Sequence, residues 1–322
     1  MNGGAARGDQ GTPGAPEVVV CGEAMVLMLA EPGVPLERAS AFRRSVAGAE
    51  SNVATGLARL GHSVRWLGRV GAGPMGRAVL TQLRAEGIDL SCAVTDPVAP
   101  TGLLIRDSHP ARAIDVEYHR AGSAAAHLAP EEITAPMVAG ARLLHLTGIT
   151  PMLSASAHRA TLRLIELAMG AGVLVSFDPN VRLKLGSAER WREVTGPLLD
   201  QADVVLAGAD ELALLGRTPE GAAPSAAALV VKHRDKSATC RTPEGSWHRP
   251  AFTVPVTDPV GAGDAFAAGF LSGWLRGAPP GECLTEGAAV ASLVVRSATD
   301  TDGLPDRTGL ERVLAAGEDV HR

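Results

Sequence analysis

The sequence predicts an α/β protein built on a doubly wound, mostly parallel sheet flanked by helices, with a small β-sheet flap. Short β-branched runs such as "VVVC" alternate with longer stretches of helical periodicity, which is the pattern of repeated βαβ units. Aromatic residues make up only 3% of the chain, so Ala, Val and Leu must fill the core, as in helices packed on a buried parallel sheet. Two segments that break the alternation predict the flap.

The β-branched runs place strands of the main sheet at 17–22, 64–70, 142–147, 173–178, 203–207 and 227–232. Helical periodicity places helices near 50–60, 75–87, 155–171, 188–200, 264–276, 284–296 and 308–316. Gly277 follows one of these helices and is a suitable C-terminal stop.

The flap is predicted from residues 30–47 and 98–123, which resemble hairpin strands with turns marked by Pro and Gly. Such a flap could cover a site. Residues 1–16 are rich in Gly and Ala and predict a disordered tail, which leaves 17–317 as the folded domain.

Charge and cysteine usage exclude several classes of protein. The net charge is -5 and the Lys and Arg residues are scattered, so no basic stripe for nucleic acid is expected. No apolar run approaches the length of a membrane span, so we expect no membrane partner. The cysteines at 21, 92, 240 and 283 show no CxxC spacing, which argues against zinc or a disulfide framework and fits the cytoplasm.

The stretch "DPVGAGDAFAAGF" at 258–270 leads from a polar loop into an apolar helix. Unpaired N–H groups and the helix dipole attract anions at a helix start, and Gly261, Ala262 and Gly263 have almost no side chain to keep an anion away. Asp264 could be an ordinary residue of the first helical turn or a general base. The residues alone leave both interpretations open.

A second glycine motif, "GAGPMG" from Gly71 to Gly76, follows a predicted strand and precedes a predicted helix. This is the context of a dinucleotide site, and Asp89 or Asp96 could meet a ribose. The alternative is a tight turn into a helix, which Pro74 favours.

Residues 47–71, "AGAESNVATGLARLGHSVRWLGRVG", and 258–270 together resemble the two signature regions of the ribokinase-like, or PfkB, family of carbohydrate kinases. The segments 22–28, 117–130, 143–154 and 175–182 are most similar to 2-keto-3-deoxygluconate kinases of that family. The resemblance runs from about 17 to 317 and implies a ribokinase-like fold. It also implies transfer of the γ-phosphate of ATP to a small sugar or sugar acid.

The resemblance assigns roles to particular residues. In the family, the GAGD loop is an anion hole whose aspartate activates a sugar hydroxyl, which implies that Gly261, Ala262 and Gly263 bind the phosphoryl group and that Asp264 is the base. The implied sugar-binding residues are Gly48, Ala49, Glu50, Ser51, Asn52, Leu104, Tyr118, Arg120, Arg182, Asp264 and Asp300. Among them, Arg182 would hold an acid-sugar carboxylate, helped by Arg120 on the flap.

The implied nucleotide-binding residues are Asn180, Arg182, Asp210, Lys232, Arg234, Ser237, Gly261 and Gly263. The family's Asn-x-x-Glu aligns with Ala207 to Asp210, and Arg234 and Ser237 replace glycines of a K-x-G-x-x-G segment. These departures predict weakened ATP binding. Mg²⁺ is expected from the chemistry, but its protein ligands are unknown.

Three alternatives stay open: a fructokinase-like enzyme for a neutral ketose, a pseudokinase or sugar-binding protein with weak ATP binding, and a dehydrogenase using Gly71 to Gly76. Leu104 stands where 2-keto-3-deoxygluconate kinases tend to have tyrosine, which weakens the acid-sugar interpretation. Family flaps often pair, which allows a homodimer.

Overall fold

The computed structural model describes residues 14–109, 114–218, 221 and 226–319. In chain order, the strands within these residues are β1 Val18–Cys21, β2 Met25–Ala30, β3 Phe42–Ala47, β4 Val64–Gly71, β5 Ala93–Asp96, β6 Leu103–Arg106, β7 Val116–His119, β8 Leu143–Thr147, β9 Leu174–Asp178, β10 Val204–Gly208, β11 Ala228–Lys232, β12 Ala238–Thr242 and β13 Gly245–Arg249. The α-helices are α1 Ala49–Arg59, α2 Pro74–Ala85, α3 Ile149–Leu153, α4 Ala155–Gly170, α5 Ala188–Gln201, α6 Ala209–Leu214, α7 Ala262–Leu275, α8 Pro280–Val294 and α9 Arg307–Asp319.

The main sheet has the order β13-β12-β11-β10-β9-β8-β1-β4-β5 within the described residues. The pairs from β11 across to β5 are parallel, and β12 and β13 add an antiparallel hairpin at one edge. From β1 the chain proceeds to β4 on one side and later to β8 on the other. Such a reversal opens a crevice at the carboxyl ends of the strands, where ligands bind in open α/β sheets.

The predicted α/β class is confirmed, and each predicted strand and helix of the main domain is present. The largest boundary difference is at α8, which begins at Pro280 and not at 284 because proline suits the first turn of a helix. The hairpin β12–β13 was missed. Its strands, "ATCRT" and "GSWHR", mix polar and apolar residues at a sheet edge and contain no β-branched run.

The second sheet has the order β3-β2-β6-β7. Its central pair, β2 and β6, is parallel, and the two outer pairs are antiparallel. The predicted flap start at residue 30 was wrong, because β2 leaves the end of β1 after a three-residue connection and already belongs to this sheet from Met25. The connection between β6 and β7 includes residues 110–113, which lie outside the described part of the chain.

Buried apolar side chains cover both faces of the main sheet, including the fully buried Trp66 on one face and Trp191 on the other. Helices α1 and α7 pack against each other on the first face. Within the described residues, the helices are too short or too polar to span a bilayer. Residues 1–13 of the predicted tail lie outside the described chain.

Candidate active site

A cavity of about 320 Å³ lies at the carboxyl ends of the main strands, beneath the small sheet. Glu23 reaches it from the end of β1, Asn180 from the end of β9 and Lys232 from the end of β11. Tyr118 of β7 lines it from the flap, and the first turn of α7 contributes Asp264. The cavity therefore occupies the crevice at which the strand order reverses.

Asp264 lies in the first turn of α7, within reach of two side-chain amides. Asn52 Nδ2 donates to its Oδ2 at 2.9 Å, and Asn180 Nδ2 lies 3.4 Å from its Oδ1. Asn180 has φ 45°, a left-handed conformation that asparagine tolerates better than most residues. Its backbone N–H donates to Asp178 Oδ1, which fixes the turn that aims the amide at Asp264. Asp264 is therefore held in one orientation from both sides.

The environment of Asp264 raises its affinity for a proton. Burial raises the pKa of Asp264 from 3.8 to about 7, a rise that the Asn52 hydrogen bond and the Arg182 charge oppose and the carboxylates of Asp178 and Asp300 increase. A carboxyl group with a pKa near neutrality can accept a proton in one step and release it in the next. This is the property required of a general base.

The backbone at the start of α7 is shaped for an anion. Gly261 is the N-cap with φ 82°, and a Cβ there would lie 2.9 Å from the Asp300 backbone, so glycine is required both for conformation and for space. Among the described residues, the N–H groups of Gly261 and Gly263 have no acceptor outside their own helix, whereas the Ala262 N–H is directed at Pro259 O over 3.4 Å. Free N–H groups at a helix start bind anions.

The start of α1 forms another wall. Gly48 has φ 151°, and a Cβ there would lie 2.2 Å from the Glu23 carbonyl oxygen. Asn52 Oδ1 is buried without a partner among the described groups, so it can accept a bond from a ligand hydroxyl. Glu50 is buried, and its Oε1 accepts bonds from Thr147 and Thr150. Burial raises the pKa of Glu50, which favours its neutral form.

The flap supplies a roof in which the charges are already paired. Arg120 is buried and donates to the buried Glu23, which also accepts a bond from Ser123 Oγ. The Arg120 guanidinium also lies over the Tyr118 ring, 5.4 Å from its centroid. Leu104 is paired with Tyr118 across β6 and β7 and presents an apolar surface to the cavity. Glu23 already compensates the charge of Arg120, so Arg120 is less available than predicted to help Arg182 hold a substrate carboxylate.

Near the flap, Arg182 is the cavity cation that remains available to bind a ligand anion. It is exposed, lines the cavity and donates only to the neighbouring Val181 carbonyl, and no carboxylate of the described chain lies within ion-pairing distance of it. A guanidinium in this position can bind a ligand carboxylate through two parallel hydrogen bonds.

At the opposite end of the cavity, Lys232 Nζ donates to Asp178 Oδ2 at 2.6 Å. Burial acts to lower the pKa of Lys232, but the carboxylates of Asp178 and Glu211 outweigh it and raise the pKa overall. A Cβ on Gly263 would lie 3.8 Å from Nζ, so the ammonium group lies beside the first turn of α7. A charged lysine next to free N–H groups completes an anion site.

After β10, the acid that faces Lys232 differs from the predicted one. Glu211 was not among the predicted site residues. It accepts hydrogen bonds from the Gly208 and Val181 N–H groups at 2.7 Å and faces Lys232. Glu211, and not the predicted Asp210, therefore supplies a carboxylate beside Lys232. Asp210 is exposed and forms a surface ion pair with Arg234.

Predicted residues that line the cavity are Gly48, Ala49, Glu50, Asn52, Leu104, Tyr118, Arg120, Asn180, Arg182, Lys232, Gly261, Gly263, Asp264 and Asp300. Predicted residues that do not line it are Ser51, Ala262, Asp210, Arg234 and Ser237. Ser51 Oγ donates to the Gly48 carbonyl, and Ser237 is buried against Asp235, so each has a local structural contact.

The cavity also contains residues that the sequence did not single out. Glu23 could have been suspected, since it directly follows the carboxyl end of a buried strand. No sequence pattern indicated that Arg106 is a site residue. It is a charged residue at the end of an apolar flap strand, yet only 1% of its surface is exposed. It donates to Asp258 Oδ2 at 2.5 Å and to Asp300 Oδ1 at 2.8 Å.

Magnesium has few free protein ligands here. Across the described residues, no group of three His, Cys, Asp or Glu side chains is placed to hold a metal. The carboxylates nearest Lys232, those of Asp178 and Glu211, already accept bonds from the protein. Mg²⁺ retains water and is often held by substrate phosphates, so this site fits an ion that arrives with the nucleotide.

The dinucleotide alternative fails on the geometry of the second glycine motif. The motif from Gly71 to Gly76 runs from the end of β4 through a two-residue turn into α2, and none of its residues lines the cavity. A Cβ on Gly76 would lie 1.8 Å from the Gly71 carbonyl oxygen, so close packing of strand and helix accounts for the glycine.

Comparison with known proteins identifies the family of the chain. Residues 15–307 match the pfkB family of carbohydrate kinases. The chain is 36% identical to the 2-dehydro-3-deoxygluconokinase of Bacillus subtilis strain 168, over 95% of this chain and 98% of that one. It is 32% identical to the 2-dehydro-3-deoxygalactonokinase of Haloferax volcanii, over 94% and 98% of the two chains.

The crystal structure of a PfkB protein from Polaromonas sp. JS666 is 40% identical and superimposes with a TM-score of 0.83, over 92% of this chain and 99% of that one. Family match, identity and fold all cover the elements that build the cavity. They exclude the dehydrogenase alternative, and this chain belongs to the pfkB family of carbohydrate kinases.

Proposed function

We propose that the protein phosphorylates 2-keto-3-deoxygluconate, also named 2-dehydro-3-deoxygluconate, with ATP as the phosphoryl donor. The observation that carries the choice of an acid sugar is Arg182, an exposed guanidinium in the cavity with no carboxylate partner among the described residues. The other cavity cations, Arg106, Arg120 and Lys232, each have a protein carboxylate. A substrate carboxylate would neutralise the charge of Arg182, as protein carboxylates neutralise the charges of the other three cations.

In this proposal the sugar lies between α1 and the flap, and Asp264 takes the proton of its reacting hydroxyl. The alkoxide oxygen then forms a bond to the γ-phosphorus of ATP while the bond from that phosphorus to the bridging oxygen breaks, which yields ADP and the sugar phosphate. The N–H groups of Gly261 and Gly263 and the Lys232 ammonium would stabilise the negative charge on the transferring group.

Magnesium, when bound with ATP, would neutralise part of the phosphate charge. The residues of this chain that would face its phosphate-bound shell are Asp178 and Glu211, which also hold Lys232. The carboxylates of Asp178 and Glu211 beside Lys232 argue against the pseudokinase alternative.

Initial rates with ATP·Mg and each of three sugars test the substrate: 2-keto-3-deoxygluconate, its galactonate epimer and fructose. We expect kcat/KM for an acid sugar to exceed that for fructose by at least about tenfold, the worth of one charge-assisted contact. A preference for fructose would replace the acid-sugar proposal with a fructokinase-like one.

Homodimer formation through the flap and a cytoplasmic location remain predictions from the sequence. Both need direct measurement, by sedimentation and by cell fractionation.

A further inference from the structure

Arg106 joins three parts of the molecule that are distant in sequence. It lies at the end of β6 in the flap, and its guanidinium contacts Asp258 and Asp300, which are 152 and 194 residues away in the chain. All three side chains are at least 95% buried. Buried charges of this kind are costly unless they are paired, so the contacts constrain all three segments.

Each carboxylate on Arg106 is part of the support for the start of α7. Asp258 begins the loop into α7, where its Oδ1 accepts the Val260 N–H at 2.9 Å. Asp300 supports Gly261 from behind, since a Cβ on Gly261 would be 2.9 Å from the Asp300 Cα. Arg106 Nη1 and Nη2 therefore fasten the loop before the anion site and the segment behind it to the flap.

We propose that Arg106 is a positioning residue that sets the geometry of the Gly261–Asp264 turn for phosphoryl transfer, and so couples flap placement to the kinase reaction. It acts through Asp258 and Asp300, and the inference rests on the proposed role of Asp264. A displacement of about 1 Å in a reacting group can reduce a rate by about a hundredfold, so kcat should depend on both contacts.

Lysine at position 106 keeps the charge but has one nitrogen in place of the two that contact Asp258 and Asp300. We expect Arg106→Lys to lower kcat by about tenfold to a hundredfold, with KM for the sugar changed less than about threefold. The matched control is Arg69→Lys. Arg69 is also largely buried and also bridges two carboxylates, Asp96 and Glu132, but it does not line the cavity.

Both variants should unfold cooperatively with a lower Tm than the wild type. Their kcat values are compared at a temperature well below both Tm values. The proposal is overturned if Arg106→Lys keeps kcat within about twofold, if it changes KM alone, or if Arg69→Lys loses kcat equally. Asp258→Asn provides an independent variant with the same expected loss of kcat. The double variant should lose no more kcat than the more impaired of the two single variants, because the two residues act through the same contact.

If Arg106→Lys does not fold, the thresholds apply to Asp258→Asn alone. The assays use ATP·Mg and 2-keto-3-deoxygluconate, or fructose if the wild type prefers it. Failure of the acid-sugar proposal therefore shows in the wild-type rates, whereas failure of this inference shows only in the variants.

Discussion

The two ends of the cavity are built differently. At the proposed sugar end, beneath the flap, Arg120 pairs with Glu23 and Arg106 pairs with Asp258, and Arg182 is the cavity cation there that lacks a carboxylate among the described residues. At the proposed nucleotide end, around Lys232, that lysine is partly exposed, and the predicted residues Asp210 and Arg234 pair with each other on the surface. The proposed sugar end is therefore preorganised, and the proposed nucleotide end depends on a few backbone groups and one lysine. Asp264 lies at the boundary.

The largest expected effect is at that boundary. Asp264→Asn keeps the hydrogen-bonding shape but cannot take a proton, so kcat should fall by about two to four orders of magnitude while sugar binding persists. Rates and sugar titrations by calorimetry measure the two quantities. Asp210→Asn is the control, because Asp210 is an exposed acid that does not line the cavity, and it should keep kcat within about twofold. Near-normal turnover by Asp264→Asn would remove it as the base.

At the sugar end, Arg182→Ala removes the cation proposed to hold the carboxylate. A hydrogen bond to a charged group contributes about 1.5–3 kcal/mol, so KM for 2-keto-3-deoxygluconate should rise by about tenfold to a hundredfold. KM for ATP should stay within about threefold, and fructose kinetics should change little. Equal losses for acid and neutral sugars would mean that Arg182 does not recognise the carboxylate.

At the nucleotide end, Lys232→Met keeps the length of the side chain and removes its charge. We expect KM for ATP to rise by about tenfold and KM for the sugar to change little, because Nζ lies beside Gly263 at the proposed phosphate site. Steady-state titration of each substrate separates the two constants. A rise confined to the sugar KM would reverse the assignment of the two ends.

The smallest expected effect is that of Arg234→Gly. The family resemblance places a glycine at this position and so predicts tighter ATP binding in the variant. In the structure, however, Arg234 is exposed and forms a surface ion pair with Asp210, and such a pair contributes little to stability. We therefore expect KM for ATP to stay within about twofold. A tenfold improvement would show that the arginine obstructs the nucleotide.

Sequence patterns over a few residues predicted the parts of the structure that depend on short-range interactions. Six strands of the main sheet, the longer helices and the glycine-rich start of α7 were predicted, because apolar periodicity and glycine placement act over a few residues. The contact of Asn52 with Asp264 spans 212 residues and was accessible only through the family resemblance. Glu211 was not predicted, because its bond from the Val181 N–H joins positions that are 30 residues apart in the chain. The burial of Arg106 depends on two carboxylates far away in sequence, which no local pattern indicates.

The role of Asp264 as the general base is tested by kcat/KM measured from pH 5.5 to 8.5, with both substrates below their KM values, for the wild type and Asp264→Asn. The pKa of Asp264 is about 7 because burial favours the protonated form, and only the deprotonated form can accept the hydroxyl proton. Wild-type kcat/KM should therefore be constant above this pKa and fall about tenfold per pH unit below it, whereas the residual activity of Asp264→Asn should lack this limb. A wild-type profile without the limb, or the same limb in the variant, would show that another group accepts the proton.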